Sequence, residues 1–595
     1  MGEHLYKVGI DLGTTNCAIA FIEANGDDEQ AVQTLEIKQV THPHSVETKG
    51  LLPSFMYMPG DGESAPTALD LPWSTGTDMC VGEFARRQSS LVPTRVVNSA
   101  KSWLCNPMID RRKANLPFKA VDGDRKISSV DASAAYLKHL VNAWDNVMAS
   151  KDKANALANQ EIVLTVPASF DPAARELTVE AAKSAGIKNL TLIEEPQAAF
   201  YAWIESLRDG WRKHVRVGDL LLVCDVGGGT TDFTLISVED KDGSLDLQRV
   251  AVGNHILLGG DNMDLALAHV AKMELAGRGV AKLDVGQFQQ LMHACRHAKE
   301  ALLTDLSKQS EEYVLHGRGT KLVGGSIKGT IARDTVQQIL IDGFFPECSL
   351  DAEPKKARVG GLQETGLPYA SDSAVTKHLA SFVRKHVEEI GRPITGILFN
   401  GGVFKATTLR ERVLDVVKSW FDSDVRLLDG TDLDQAVSVG AAYYGAAKSG
   451  RGIRIRGGAS KSYYLGVEIP APAVPGIDPP VKALCVVPYG MENGTKAELH
   501  NMSLGLVVGE DVRFRFFSAD LRRTDKSGEW LEDVTSELVE LPALETVVKS
   551  NKPSGSMVPI SLSATMTEIG TLEIYCQSEL DEENWKLEFE ARHGD

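Results

Sequence analysis

Two stretches, VGIDLGTTNCAIAF (residues 8–21) and LLVCDVGGGTTDF (221–233), run from an apolar segment into an acid, then glycine and threonine, then a second β-prone segment. Val, Ile, Phe and Thr on both sides of the break predict strand, tight turn, strand. Glycine lets a backbone approach an anion closely and accepts positive φ. Successive N–H groups in such a turn make a concave anion nest. Thr14, Thr15, Thr230 and Thr231 add hydroxyl donors. Asp11 and Asp225 are unsuited to touching phosphate, but they suit a hydrated Mg²⁺, which keeps most of its waters and bridges to phosphate oxygens. One such segment reads equally well as a hairpin with an incidental acid. Two matched ones, about 214 residues apart, predict two lobes facing each other across a cleft.

The elements that would position these turns fit that picture. Residues 162–166 form an apolar strand stopped by Pro167. Asp171 and Pro172 then read as an N-cap and a first-turn proline, with Gly186 as the helix stop. The next strand, LTLI, delivers Glu194 and Glu195 to the carboxyl end of a sheet, where α/β folds bind ligands. In VSVGAAYYGAA small residues predict a helix closely crossed by another, with Gly440 and Ala441 at the contact.

The chain has 595 residues, 43% hydrophobic and 24% charged, and a formal net charge of −18. That length predicts at least two domains. That charge argues against nucleic acid or an anionic membrane as the main partner. The eight cysteines form no C-x-x-C pair, so neither a zinc site nor a disulfide framework is expected. No signal core and no apolar run long enough to span a bilayer is evident, so the expected location is cytoplasmic.

Taken together, the two acid–glycine–threonine stretches resemble the phosphate loops of the actin-like ATPase superfamily. Further stretches resemble the 70-kDa heat-shock protein chaperones (bacterial DnaK-like) within it. They are VGEFARRQSSLVPTRVVNSAKSWL (81–104), EIVLTVPASFDPAARELTVEAAKSAGIKNLTLIEEPQAAFYAW (161–203), LLGGDNMD (257–264), ILFNGGVFK (397–405) and DLDQAVSVGAAYYGA (432–446). The resemblance implies a two-lobed α/β actin-like ATPase domain with ribonuclease H-like sheets over 1–448. It also implies Mg-dependent hydrolysis of ATP to ADP and phosphate. On it, Lys101 faces the γ-phosphate and the attacking water. Glu195 and Asp225 order the water or the metal. Thr230 and Asp232 stand near the γ-phosphate. Gly13, Thr14, Thr15, Asn16, Gly227, Gly228, Gly229 and Thr231 cradle phosphate, as do Gly259, Gly260 and Asp261. Gly401 and Gly402 let the backbone reach the nucleoside.

Two departures touch the base. Lys299 matches the family's base-clamping lysine, but Arg296 stands where a glutamate is expected. Lys405 stands where an arginine usually stacks on the purine, and lysine cannot reproduce planar stacking.

Residues 449–461, SGRGIRIRGGASK, read as a linker by composition. It is either a flexible tether or, through IRIR, a strand added to a sheet edge. Over 462–595, SYYLGVEI, VKALCVVP, VRFRFFSA, VPISLSAT, GTLEIYCQ and WKLEFEAR predict short strands. They suggest an all-β sandwich that resembles, loosely, the family's peptide-binding domain. After these strands the sequence gives no stretch expected to form the family's helical lid. Pro and Gly punctuate 343–372, which reads as an insertion in the second lobe. The implied activity is that of an ATP-driven chaperone of extended polypeptide or of a dedicated protein partner, with a J-domain co-chaperone and an exchange factor as possible helpers. The alternatives are a nucleotide-sensing adaptor or a sugar-kinase-like phosphotransferase.

Overall fold

The computed structural model describes residues 5–587 except 27–29, 107–108, 119, 122, 242–243, 281, 316–325, 357–366, 368, 422–423, 451–454, 456–458, 460, 471, 473–478, 493, 521, 533, 535–537 and 568–570. Both signature stretches fold as expected. Tyr6–Leu12 pairs antiparallel with Asn16–Glu23, and Leu220–Val226 pairs antiparallel with Thr231–Lys241.

Each hairpin continues into a sheet with the same strand order. In the first lobe the order is Gln33–Thr34, Asn16–Glu23, Tyr6–Leu12, Glu161–Val166, Leu190–Glu194, the last three parallel. In the second it is Ser244–Val252, Thr231–Lys241, Leu220–Val226, Gly396–Asn400, Arg426–Leu428, again with the last three parallel. Apart from the edge strand Arg426–Leu428, the parallel strands are mostly buried apolar runs, as sheets covered on both faces require. Asp171 caps the helix Pro172–Ser184 by accepting from the Ala174 N–H at 2.7 Å. Gly186 takes φ +96° just beyond that helix, in the left-handed region that favours glycine.

The helices Glu195–Leu207 and Ala436–Lys448 cross between the sheets. A Cβ on Gly440 would lie 1.7 Å from the Ala198 carbonyl oxygen, so no larger residue fits that crossing. Ile455, within the linker stretch, is buried beside this helix pair, and its N–H donates to the Tyr201 hydroxyl at 2.6 Å. The chain is therefore docked at that point. Its neighbours 451–454, Ile453 included, lie outside the described residues. The described start of the 343–372 stretch is packed down too: the Cys348 carbonyl accepts from Trp420 Nε1 at 2.7 Å, and the Pro346 carbonyl from Thr376 Oγ1 at 2.7 Å.

Beyond residue 461 the described elements are strands. One antiparallel sheet has the order Trp530–Leu531, Val481–Val487, Ser462–Glu468, Asp511–Ala519, Val539–Val547. A second has Thr495–Val508, Ser556–Met566, Leu572–Ser578, Asn584–Leu587. Leu484, Val486 and Phe516 of the first sheet share one hydrophobic cluster with Ile560, Leu562 and Ile574 of the second. Thr495–Val508 and Val539–Val547 were not legible as strands. Both ladders slip register, between Leu499 and Leu504 and between Phe514 and Phe516, which breaks the period of two. Of WKLEFEAR, residues 588–592 lie outside the described residues. All eight cysteines are free thiols. No helix among the described residues is long and apolar enough to cross a membrane.

Candidate nucleotide cleft

The two hairpin turns meet from opposite lobes. A Cβ on Gly228 would fall 1.9 Å from Thr15 Oγ1, and one on Gly229 would fall 2.9 Å from Thr14 Cγ2. The second turn is closed by a Gly227 N–H to Thr230 carbonyl bond of 2.9 Å. The helix Gly260–Gly277 begins directly on it, with the Gly260 and Asp261 N–H groups donating to the Gly227 and Gly228 carbonyls at 3.0 and 2.7 Å.

Between the turns lies a cavity of about 480 Å³. Asp11, Gly13, Thr14, Thr15 and Asn16 line one wall, and Asp225, Gly227, Gly228 and Thr230 line the other. Lys101 and Glu195 form a buried ion pair at its edge. Gly260, Asp261, Arg296, Lys299, Gly401, Gly402 and Lys405 complete it on the far side. Four expected residues do not face it. The Thr231 hydroxyl donates to the Leu258 carbonyl at 2.8 Å. Asp232 turns toward Ser169, whose hydroxyl donates to it at 2.6 Å. Gly229 and Gly259 support the loop: a Cβ on Gly259 would lie 2.7 Å from the carbonyl oxygens of both Gly227 and Gly228.

Burial sets the electrostatics. It pushes the Asp225 carboxyl up to about 8, aided by Glu195, Asp232 and Asp11 and opposed by the Asn400 amide, which donates to Asp225 at 2.7 Å. Burial likewise raises Glu195 to about 7, against the pull of Lys101. Burial also raises Asp11, although Lys101 and a 2.8 Å hydrogen bond from the Thr165 hydroxyl oppose it. Burial alone would depress the Lys101 ammonium, yet the charges of Glu195 and Asp11 hold it above the ordinary lysine value.

Three carboxylates, one buried and two half-buried, thus share one lysine, and a cation would relieve them. No group of three or more His, Cys, Asp or Glu side chains among the described residues could hold a metal ion. Carboxylates spaced like these can hold a metal that keeps its own waters. On the cavity wall, Thr15 Oγ1 and Asn400 Oδ1 are buried without a hydrogen-bond partner among the described residues.

On the far side the cations are already matched. Arg296 Nε donates to Asp264 at 2.7 Å, and a second nitrogen binds Asp261. Lys299 meets Asp264 at 2.6 Å and the Gly260 carbonyl at 3.1 Å. Lys405 meets Asp434 at 2.5 Å. Gly401 takes φ +88°, and a Cβ there would strike the Val226 carbonyl oxygen at 2.3 Å. Sequence reasoning gave no role to Asn400, Asp264, Ser169 or His255. Asn400 carried a signal, a polar residue ending an apolar strand immediately before two glycines. His255 and Asp264 carried none.

Two sheets of the same strand order around a shared cleft of about 480 Å³ define the two-lobed actin-like fold. A family model described as Hsp70 protein matches residues 72–348. The chaperone protein HscA homolog of Bordetella pertussis (strain Tohama I) is 27% identical over 449 residues, an alignment covering 73% of this chain and 57% of that protein. The chain thus spans a little over half the length of this curated relative. Over these residues the chain is similar to the 70-kDa heat-shock protein family, within the actin-like ATPase superfamily.

Proposed function

We propose that the chain is an Mg-dependent ATPase of the chaperone type, with an actin-like domain over 1–448, a linker over 449–461 and a β-sandwich over 462–595 that takes extended polypeptide or a dedicated protein partner. The observation that carries this reading is the cavity walled by both hairpin turns, with the Lys101–Glu195 pair at its edge. The residues present fit both groups. Asp11 and Asp225 would hold hydrated Mg²⁺, and the backbone of 13–16 and 227–230 would take the phosphates. Bound Mg²⁺ would neutralise phosphate charge. Lys101, held by Glu195, keeps its ammonium at the phosphate end. Glu195 and Asp225, each with a raised proton affinity, can orient a water or take its proton.

Contacts between the lobes and across the domain boundary support coupling to nucleotide. Glu194 precedes Glu195 in the chain and is clasped by Arg175 at 2.7 Å and by Arg249. The Tyr489 hydroxyl donates to the Val250 carbonyl at 2.8 Å. Asp520 joins Lys385 at 2.9 Å and Lys461 at 3.0 Å, and Arg523 reaches Glu389 at 3.1 Å. Two states of such an interface would be biased by a ligand only through its differential affinity for them.

The matched cations at Arg296 and Lys405 favour, as a second reading, an adaptor that senses nucleotide without general chaperone activity. The test is phosphate release from ATP with no small substrate added, followed by binding of an unfolded-peptide library with and without ATP. Release together with ATP-weakened peptide binding supports the chaperone. Nucleotide binding without either supports the adaptor, and release only on adding a small acceptor would favour a kinase.

A further inference from the structure

Asp232 does not face the cavity but a residue of the other lobe, Ser169. The Ser169 hydroxyl donates to Asp232 at 2.6 Å and lies 2.8 Å from His255 Nδ1, and His255 Nδ1 is itself 3.6 Å from Asp232. Ser169 has one proton, and the carboxylate takes it. His255 Nδ1 must therefore carry a proton and donate to Ser169. The hydrogen-bond chain has one polarity: imidazole to hydroxyl to carboxylate. It also crosses the lobes, because Ser169 follows the first-lobe strand Glu161–Val166, whereas Asp232 and His255 belong to the second lobe.

The titratable groups facing His255 are Asp232 and Cys105, beside the Ser169 hydroxyl and the edge of the Phe170 ring. Burial opposes a charged imidazole here, but Cys105 and Asp232 outweigh it and hold His255 well above the ordinary histidine value. His255 Nε2 is buried and has no hydrogen-bond partner among the described residues. With Nδ1 3.6 Å from Asp232, the doubly protonated ring would offset that carboxylate, whose charge otherwise acts on Glu195 and Asp225.

We propose that His255 is a positioning residue for the nucleotide: through Ser169 it fixes Asp232, and its positive charge cancels that carboxylate's repulsion of the phosphates across the cleft. The proposal rests on the nucleotide-binding reading above. It assigns the effect to affinity rather than to the chemical step, since His255 does not line the cavity. Removing one such charge at roughly 10 Å changes the affinity for a polyanion by about tenfold at an effective dielectric near 20.

The experiment is calorimetric titration of the full chain with Mg·ADP, which needs no hydrolysis, from neutral to alkaline pH. The wild type should bind tightly until His255 deprotonates and then weaken about tenfold. His255→Asn should bind about tenfold more weakly at neutral pH and show no such step. His255→Lys, which keeps a cation, should restore neutral affinity and extend it to higher pH, and Ser169→Ala should give an intermediate loss. Equal affinities and equal pH profiles for wild type and His255→Asn would overturn the proposal while leaving the nucleotide reading intact. Absence of Mg·ADP binding at every pH would overturn both. Without nucleotide, the midpoint of the His255 ring-proton titration should fall in Asp232→Asn, and an unchanged midpoint overturns the pairing itself, even if a variant misfolds.

Discussion

At the end of the cavity where the hairpins meet, Asp11, Glu195 and Asp225 share Lys101. At the opposite end, Arg296, Lys299 and Lys405 each meet an aspartate. The first end holds more carboxyls than its one lysine can balance, and burial, with their mutual repulsion, raises Asp225 and Glu195. The second is balanced within itself. An end with surplus charge binds a counter-charge and does chemistry, whereas an end already balanced contributes shape and rigidity. The two halves of one pocket should therefore respond oppositely to mutation: function falls at the first, stability at the second.

Breaking the balanced end gives the largest expected effect. Asp264 is buried and receives both Arg296 and Lys299. Asp264→Ala leaves two cations with lost partners, a change that costs about 3–5 kcal/mol when a buried pair is broken. Chemical denaturation should show that loss in the nucleotide-free protein. A loss under about 1 kcal/mol would mean that the end is not self-balanced. Next comes Lys101→Ala, with an expected loss of about 10²–10³-fold in turnover, the usual cost of removing one positioned charge-stabilising group. Nucleotide affinity should change far less. Near-normal turnover would remove Lys101 from the chemistry.

The surplus end also predicts a pH dependence. The folded Asp225 value, about 8, is raised above that of the unfolded chain. The protonated carboxyl therefore favours the fold at low pH, and that contribution is lost as pH rises toward 8. Between pH 5 and pH 8 the nucleotide-free protein should lose about 1 kcal/mol per pH unit from this group. Asp225→Asn should flatten the slope. A wild type equally stable at both pH values would show that the carboxylates are already compensated.

How far the sequence carried this contrast depends on the kind of signal. The hairpins, the capped helix after Asp171 and the tight helix crossing at Gly440 are local: apolar runs, a cap residue and small side chains state them directly. Asp11, Lys101, Glu195, Thr230 and Asp225 line one cavity, because a strand end or a turn fixes where each side chain can point. Asp232 and Thr231, expected near the phosphate, turn their side chains to Ser169 and to the Leu258 carbonyl. They follow the turn by one and two residues on a strand, where successive side chains alternate faces, and distant partners decide which face each takes. Those partners, Ser169, His255 and Leu258, are remote in sequence or unmarked by any pattern. Arg296 was legible as a departure from a family position, but its aspartate partners were not, because Asp261 and Asp264 lie on another helix.

Lys405 sharpens the contrast with the smallest effect. It is half-exposed and pairs with an equally accessible Asp434 at 2.5 Å. Solvent screens such a pair, whose contribution is typically about 0.2–1 kcal/mol. Lys405→Ala should thus change stability by less than about 1 kcal/mol and nucleotide affinity by only a few-fold. Lys405→Arg is the more informative variant. A guanidinium can stack on a purine where an ammonium cannot. If the base lies against this loop, the arginine should tighten Mg·ATP binding relative to wild type while leaving turnover unchanged. If affinity is unmoved by both substitutions, the base lies elsewhere, and the Arg296 side of the cavity alone would have to hold it.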